Sequence, residues 1–135
     1  MKNFTNMIKC SIEKQCLDNS IIQALKIYNL RGEIIYRIIK GQPIPKELIS
    51  NFKEIYKNFS KIFFHKKTIE CMKEKCKKTF PKNTKKIDKS LKFINKTLNK
   101  LDKKNNELSK NYKLILKTLK NILTDFSEKY KKKYL

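Results

Sequence analysis

From Ile87 to Phe126 the apolar positions alternate by four and three without a slip: Ile87, Leu91, Ile94, Leu98, Leu101, then Asn105, then Leu108, Tyr112, Ile115, Leu119, Ile122 and Phe126. That is a heptad pattern with apolar a and d positions, interrupted once by Asn105 at an a position. It predicts a long C-terminal helix over about residues 84–132, spanning roughly 75 Å if it is continuous. A break at Lys103-Lys104-Asn105-Asn106 is the alternative, giving two helices and a four-helix bundle. The unbroken phase favours one helix. On that reading Asn105 is the residue that sets oligomeric register, because an amide in an apolar seam prefers a polar partner.

The first half has a different texture. From Ile21 to Lys40 two apolar stripes coexist, one through Ile21, Leu25, Tyr28, Ile35 and Ile39, the other through Ile27, Leu30, Ile34 and Ile38. A helix apolar on two sides belongs in the middle of a bundle. Ser20 with Gln23 forms a capping box that opens it, and Gly41 is a natural stop. Pro45 suits the first turn of the next helix, expected to run to Lys78 on a stripe of Leu48, Phe52, Ile55, Phe59, Ile62, Ile69 and Cys76. Phe80-Pro81-Lys82-Asn83-Thr84 is expected to end it. With no period-two alternation, the fold class is all-α. The predicted architecture is an elongated bundle built on an antiparallel helical hairpin, about 4–40 with 45–78, plus the long C-terminal helix. Residues 1–81 form a cysteine-braced hairpin and 82–135 a lysine-rich, coiled-coil-like helix, one structural unit in all.

The hairpin puts the four cysteines in register. If the chain folds back at Gly41-Gln42-Pro43-Ile44-Pro45, with Lys40 opposite Lys46, facing residues have numbers that sum to about 86. Cys10 then faces Cys76, and Cys16 faces Cys71, so two inter-helix disulfides are expected. Neither pair closes within its own helix, because the Cys-x5-Cys and Cys-x4-Cys spacings set the sulfurs over about 100° apart around the axis. For both bridges to form, a bend near Asp18 or loose terminal turns must absorb that angle. The spacings are also a poor match for structural zinc, and His65 has no evident partner, so no metal or cofactor is expected. In architecture alone the arrangement resembles the twin-cysteine helical hairpins of the mitochondrial intermembrane space. Those carry three or nine intervening residues, and neither spacing occurs here. Disulfides in a chain with no secretory segment in its first twenty residues suit either that compartment or the particle of a cytoplasmic DNA virus with its own thiol oxidase.

Composition leans towards the second setting. Of 135 residues, 32 are Lys, 18 Ile and 13 Asn, against 2 Arg, one Ala and no Val. Such a balance follows from AT-rich codons, as in many large DNA viruses, apicomplexans and mitochondrion-derived systems. The formal charge of +22 is real whatever its mutational origin, and it attracts polyanions. It is uneven: residues 82–135 hold 17 basic and 5 acidic side chains, more than half of the surplus. Lys in place of Arg disfavours bidentate reading of bases. No apolar run approaches the ~20 residues of a membrane span.

Catalysis finds no support: the chain has no Gly-rich phosphate loop, nucleophile elbow, His-Glu-x-x-His or Cys-x-x-Cys. The expected function is non-enzymatic, a disulfide-braced structural or packing component that meets other subunits of a large assembly such as a virus particle, either in the virion or in infected cytoplasm. The alternative is binding of nucleic acid without sequence preference. Its candidate residues are Lys85, Lys86, Lys89, Lys92, Lys96, Lys100, Lys103 and Lys104, many of them on one face opposite the seam, with Lys131, Lys132 and Lys133 near the C-terminus. Tyr130 and Tyr134, set among lysines, are candidates for stacking on bases. The terminal Lys-Lys-Lys-Tyr-Leu is a weaker candidate for acidic lipid headgroups.

Overall fold

A computed structural model describes residues 6–17, 32–104 and 106–135. The fold is all-α, with no strand among the described residues. Helix α1 is Asn6–Glu13, α2 covers residues 32–40, α3 is Lys46–Phe63, α4 is Lys66–Lys75, α5 is Phe80–Leu101 and α6 is Glu107–Lys133; a 3-10 turn, Lys77–Thr79, links α4 to α5. The stretch carrying Ser20, Gln23 and most of the two-stripe pattern lies outside the described residues, as does Asn105.

Gly41 ends α2 as its sequence predicts. It adopts φ +70°, which costs glycine little. The Gln42 amide donates to Arg37 O at 2.9 Å and the Gly41 amide to Ile38 O at 3.2 Å. These are the two bonds of a Schellman C-cap.

The single C-terminal helix does not form. The chain leaves α5 at Leu101 and re-enters helix at Glu107. Asn106 caps α6, its side chain accepting from the Ser109 amide at 2.8 Å while Ser109 Oγ accepts from the Asn106 amide at 3.2 Å. This reciprocal box satisfies two amide donors that a helix start otherwise leaves open. The halves pack antiparallel: Phe80 meets Tyr130 at one end, and Asp102 pairs with Lys113 at the other. Ile94 and Leu98 of α5 are buried with Tyr112, Ile115, Leu116 and Leu119 of α6. A four-three stripe is equally satisfied by a partner helix or by its own second half folded back. The turn happens to hold the number of residues that keeps the count in phase. The seam expected between chains is therefore spent within one.

The helix expected over 45–78 is also divided. Phe63 and Phe64 are both buried. Adjacent helical positions point about 100° apart, so a break between α3 and α4 lets both rings reach one core. His65 opens α4, its Nδ1 accepting from the Lys67 amide at 3.2 Å. Phe80-Pro81, expected to terminate a helix, begins one instead, with the proline in the first turn of α5 where its missing N–H costs nothing.

Helix α3 runs alongside α6 in the same direction, with Ile44 beside Asn111, Tyr56 beside Asp125 and Phe63 beside Tyr134. One core gathers Ile34, Ile44 and Phe52 with the α5–α6 residues near the Lys103-Lys104 turn. A second, at the other end, gathers Met7, Ile8, Leu17, Phe59, Phe63, Phe64, Met72, Phe80, Tyr130 and Tyr134.

Candidate polyanion-binding surface

Two disulfides brace the second core. Cys10 is bonded to Cys76 and Cys16 to Cys71, with Cα–Cα distances of 5.9 and 5.5 Å. These are the pairs that folding back at Gly41–Pro45 predicts, although not along a straight facing line. Helix α1 lies against α4, the 3-10 turn and α5. Cys16 sits in the turn after α1, where Gln15 adopts φ 60°, and Cys76 caps α4. Those two irregular positions absorb the angle that regular helices would not. No cysteine is left free.

Helix α5 then presents its charges in a simple way. Its buried residues include Phe80, Asn83, Ile87, Ser90, Ile94 and Leu98. On a 3.6-residue helix Lys82, Lys85, Lys89, Lys92, Lys96 and Lys100 fall within roughly an 80° arc directly opposite that face. All six are exposed, and along the axis they extend over about 27 Å. Lys82 belongs to this stripe although charge-run reasoning passed over it; its signal is the spacing of three to Lys85. Lys86 sits off the stripe and is half-buried, and Lys103 and Lys104 are exposed in the turn that follows. Asp88, the one acidic residue of α5, lies beside the stripe, and among the described residues no ion pair falls on the six lysines.

Lys131, Lys132 and Lys133 are exposed in the last turn of α6, where cations favour the helix C-terminus. The neighbouring tyrosines do not reach solvent. Tyr130 is 0 % and Tyr134 3 % exposed, so neither ring is available to stack on a base. The Tyr130 hydroxyl donates to Phe80 O at 2.9 Å and the Tyr134 hydroxyl donates to Phe63 O. Burial pushes both phenol pKa values up. Phe59, Phe63, Phe64, Phe80 and Phe126 complete the aromatic cluster around them. The steps of four from Phe126 to Tyr130 to Tyr134 leave the four-three alternation but keep the rings on neighbouring positions of one side of the helix, a signal masked by the lysines between them.

Between α3 and α6 lies a cleft lined by Tyr56, Lys57, Ser60, Lys61, Phe64, Lys129 and Lys133. At its edge the Tyr56 hydroxyl donates to Asp125 Oδ2 at 2.7 Å, and Lys129 Nζ pairs with the same oxygen at 3.1 Å. The hydrogen bond from Tyr56 holds the Asp125 carboxyl below the usual range, with Lys129 adding to it against the opposing effect of burial. No described helix is long and apolar enough to cross a membrane. No protein-family model, curated protein or solved structure matches the chain.

Proposed function

We propose that this chain is a non-enzymatic packing protein that grips nucleic acid without reading its sequence, inside a large assembly such as a virus particle. One observation carries the reading: the unpaired lysine stripe of α5. Like charges three or four residues apart destabilise a helix by about 0.2–0.5 kcal/mol per pair. Six in line therefore work against the helix that bears them, and a polyanion laid along the stripe relieves the repulsion while releasing its own counterions. Lysines are point charges on flexible stems, suited to phosphates in any register and poor at reading base edges. With Tyr130 and Tyr134 buried, those two rings do not stack on bases.

Placement within an assembly rests on the two disulfides and the AT-biased composition. Contacts to other subunits do not fall to the heptad seam, which α5 and α6 use between themselves. Exposed apolar side chains such as Tyr36, Ile39 and Leu114 are the groups available for them.

Fluorescence anisotropy with several labelled oligonucleotides of unrelated sequence tests the reading. Wild-type protein should bind all of them alike, and Lys89→Glu with Lys92→Glu and Lys96→Glu should abolish binding while helicity stays unchanged. Equal binding by the triple variant, or strong preference for one sequence, refutes it.

A further inference from the structure

The lysine stripe of α5 is suited to an extended chain of phosphates; the cleft between α3 and α6 differs in shape. Lys57 and Lys61 stand one turn apart on α3, and Lys129 and Lys133 stand one turn apart on the facing α6. The two pairs approach from opposite walls, and the space between them is about 480 Å³, within the range of a small-ligand pocket. Asp125 is the nearby anion, and it is already answered: its Oδ2 takes both the Tyr56 hydroxyl and Lys129 Nζ. Glu54 and Glu128, close in sequence, do not line the cleft. Three ammonium groups are thus left uncompensated around one concavity. The Tyr56 hydroxyl is committed to Asp125, so recognition falls to the ammonium groups, with Phe64 as an apolar wall.

We infer that this cleft is a binding site for a compact group of phosphates, distinct from the α5 stripe. Three uncompensated cations around one open cleft suit an anion that packs several charges into a few ångströms. A single phosphate leaves most of them unmet. Cations on two facing helices also bring their potentials to bear on one point, which the same charges spread along one convex helix do not.

Titration of the intact, oxidised protein with inorganic tripolyphosphate, followed by amide chemical shifts, tests the site. Shifts should saturate below about 1 mM ligand and centre on residues 57–64 and 125–133. Lys61→Gln with Lys133→Gln should weaken binding at least about tenfold, whereas Lys92→Gln with Lys96→Gln on α5 should change it less than about twofold. An oligonucleotide arm separates the two sources of such phosphates. If an oligonucleotide displaces tripolyphosphate from the cleft, the site serves a strand's own phosphates; if tripolyphosphate stays bound, it serves a free polyphosphate. Either result upholds the site. Equal weakening by the two variant pairs, or shifts that never saturate, means diffuse attraction to a basic surface and overturns the proposal. Loss of oligonucleotide binding in the α5 variants bears only on the packing function, so the two readings fail separately.

Discussion

The side-chain amide of Asn111 holds both polar backbone atoms of Ile44, accepting from Ile44 N at 2.9 Å and donating to Ile44 O at 3.1 Å. Ile44 is itself buried, 2 % exposed, in the turn between α2 and α3. Next to it the Tyr112 hydroxyl donates to Gln42 O at 2.8 Å. Two adjacent residues of α6 thus moor the Gly41–Pro45 turn, giving a segment with no regular structure the partners that buried backbone requires.

Asn111→Ala leaves the Ile44 amide and carbonyl without partners and should lower stability by about 1–3 kcal/mol. Asn111→Asp keeps the acceptor and loses the donor, so its loss should be smaller at neutral pH. Urea unfolding followed by circular dichroism measures both. Equal losses for the two variants count against the bracket as the cause.

How much of this was legible beforehand differs from one element to the next. The disulfide partners were readable because Gly41 and the prolines mark one turn in a chain almost free of glycine, which sets the register of whatever folds back. The break after Leu101 was not readable from the stripe, because an antiparallel return buries the same positions as a continuous helix. The signal lay in side-chain chemistry instead: Asn106 and Ser109 have the spacing of a capping box, and the run from Asp102 to Glu107 has no apolar residue. The break at Phe64 was hidden because a histidine does the capping. The α3–α6 cleft depends on which helices become neighbours across some seventy residues of sequence, and a local pattern carries no such information.

Tyr134 supplies a test at high pH. Its phenol, like that of Tyr130, is raised by burial above the ordinary value near ~10. A raised value means that the folded state favours the neutral phenol. That stability is fully present below pH ~10 and is lost as pH rises towards the folded-state values. Spectrophotometric titration should show Tyr130 and Tyr134 ionising late, together with loss of the fold. Tyr134→Phe should lower stability at pH 7 by about 1 kcal/mol, through the lost bond to Phe63 O, and flatten the decline above pH ~10. Early ionisation of both tyrosines with the helices intact contradicts their burial.

The disulfides are nested, and their contributions should not add. The bridges close sequence separations of 66 and 55 residues, each worth about 4 kcal/mol alone in the chain-entropy model. Once either exists, the other closes a ring of only about 11 chain steps and adds about 3 kcal/mol. Replacing Cys10 and Cys76 by Ser, or Cys16 and Cys71, should therefore cost about 3 kcal/mol each, and replacing all four about 7. Denaturant midpoints of the three variants decide this. A four-fold variant no less stable than either double variant means that the unfolded chain is not constrained as supposed.

Salt dependence gives the most direct measure of the α5 stripe. Each lysine that neutralises a phosphate of a single strand contributes about 0.7 to the slope of log affinity against log salt. Lys92→Gln with Lys96→Gln removes two charges from the middle of the stripe, so the slope should fall by about 1.4, and by the same amount for every oligonucleotide sequence. Lys46→Gln with Lys53→Gln, on α3, removes equal charge without touching the stripe. If attraction depends on net charge alone, the two pairs reduce the slope alike. If the stripe is the contact, the first pair lowers the slope more, because those lysines lie along the bound strand. The comparison holds the net charge constant, so a difference between the pairs comes from where the lysines stand.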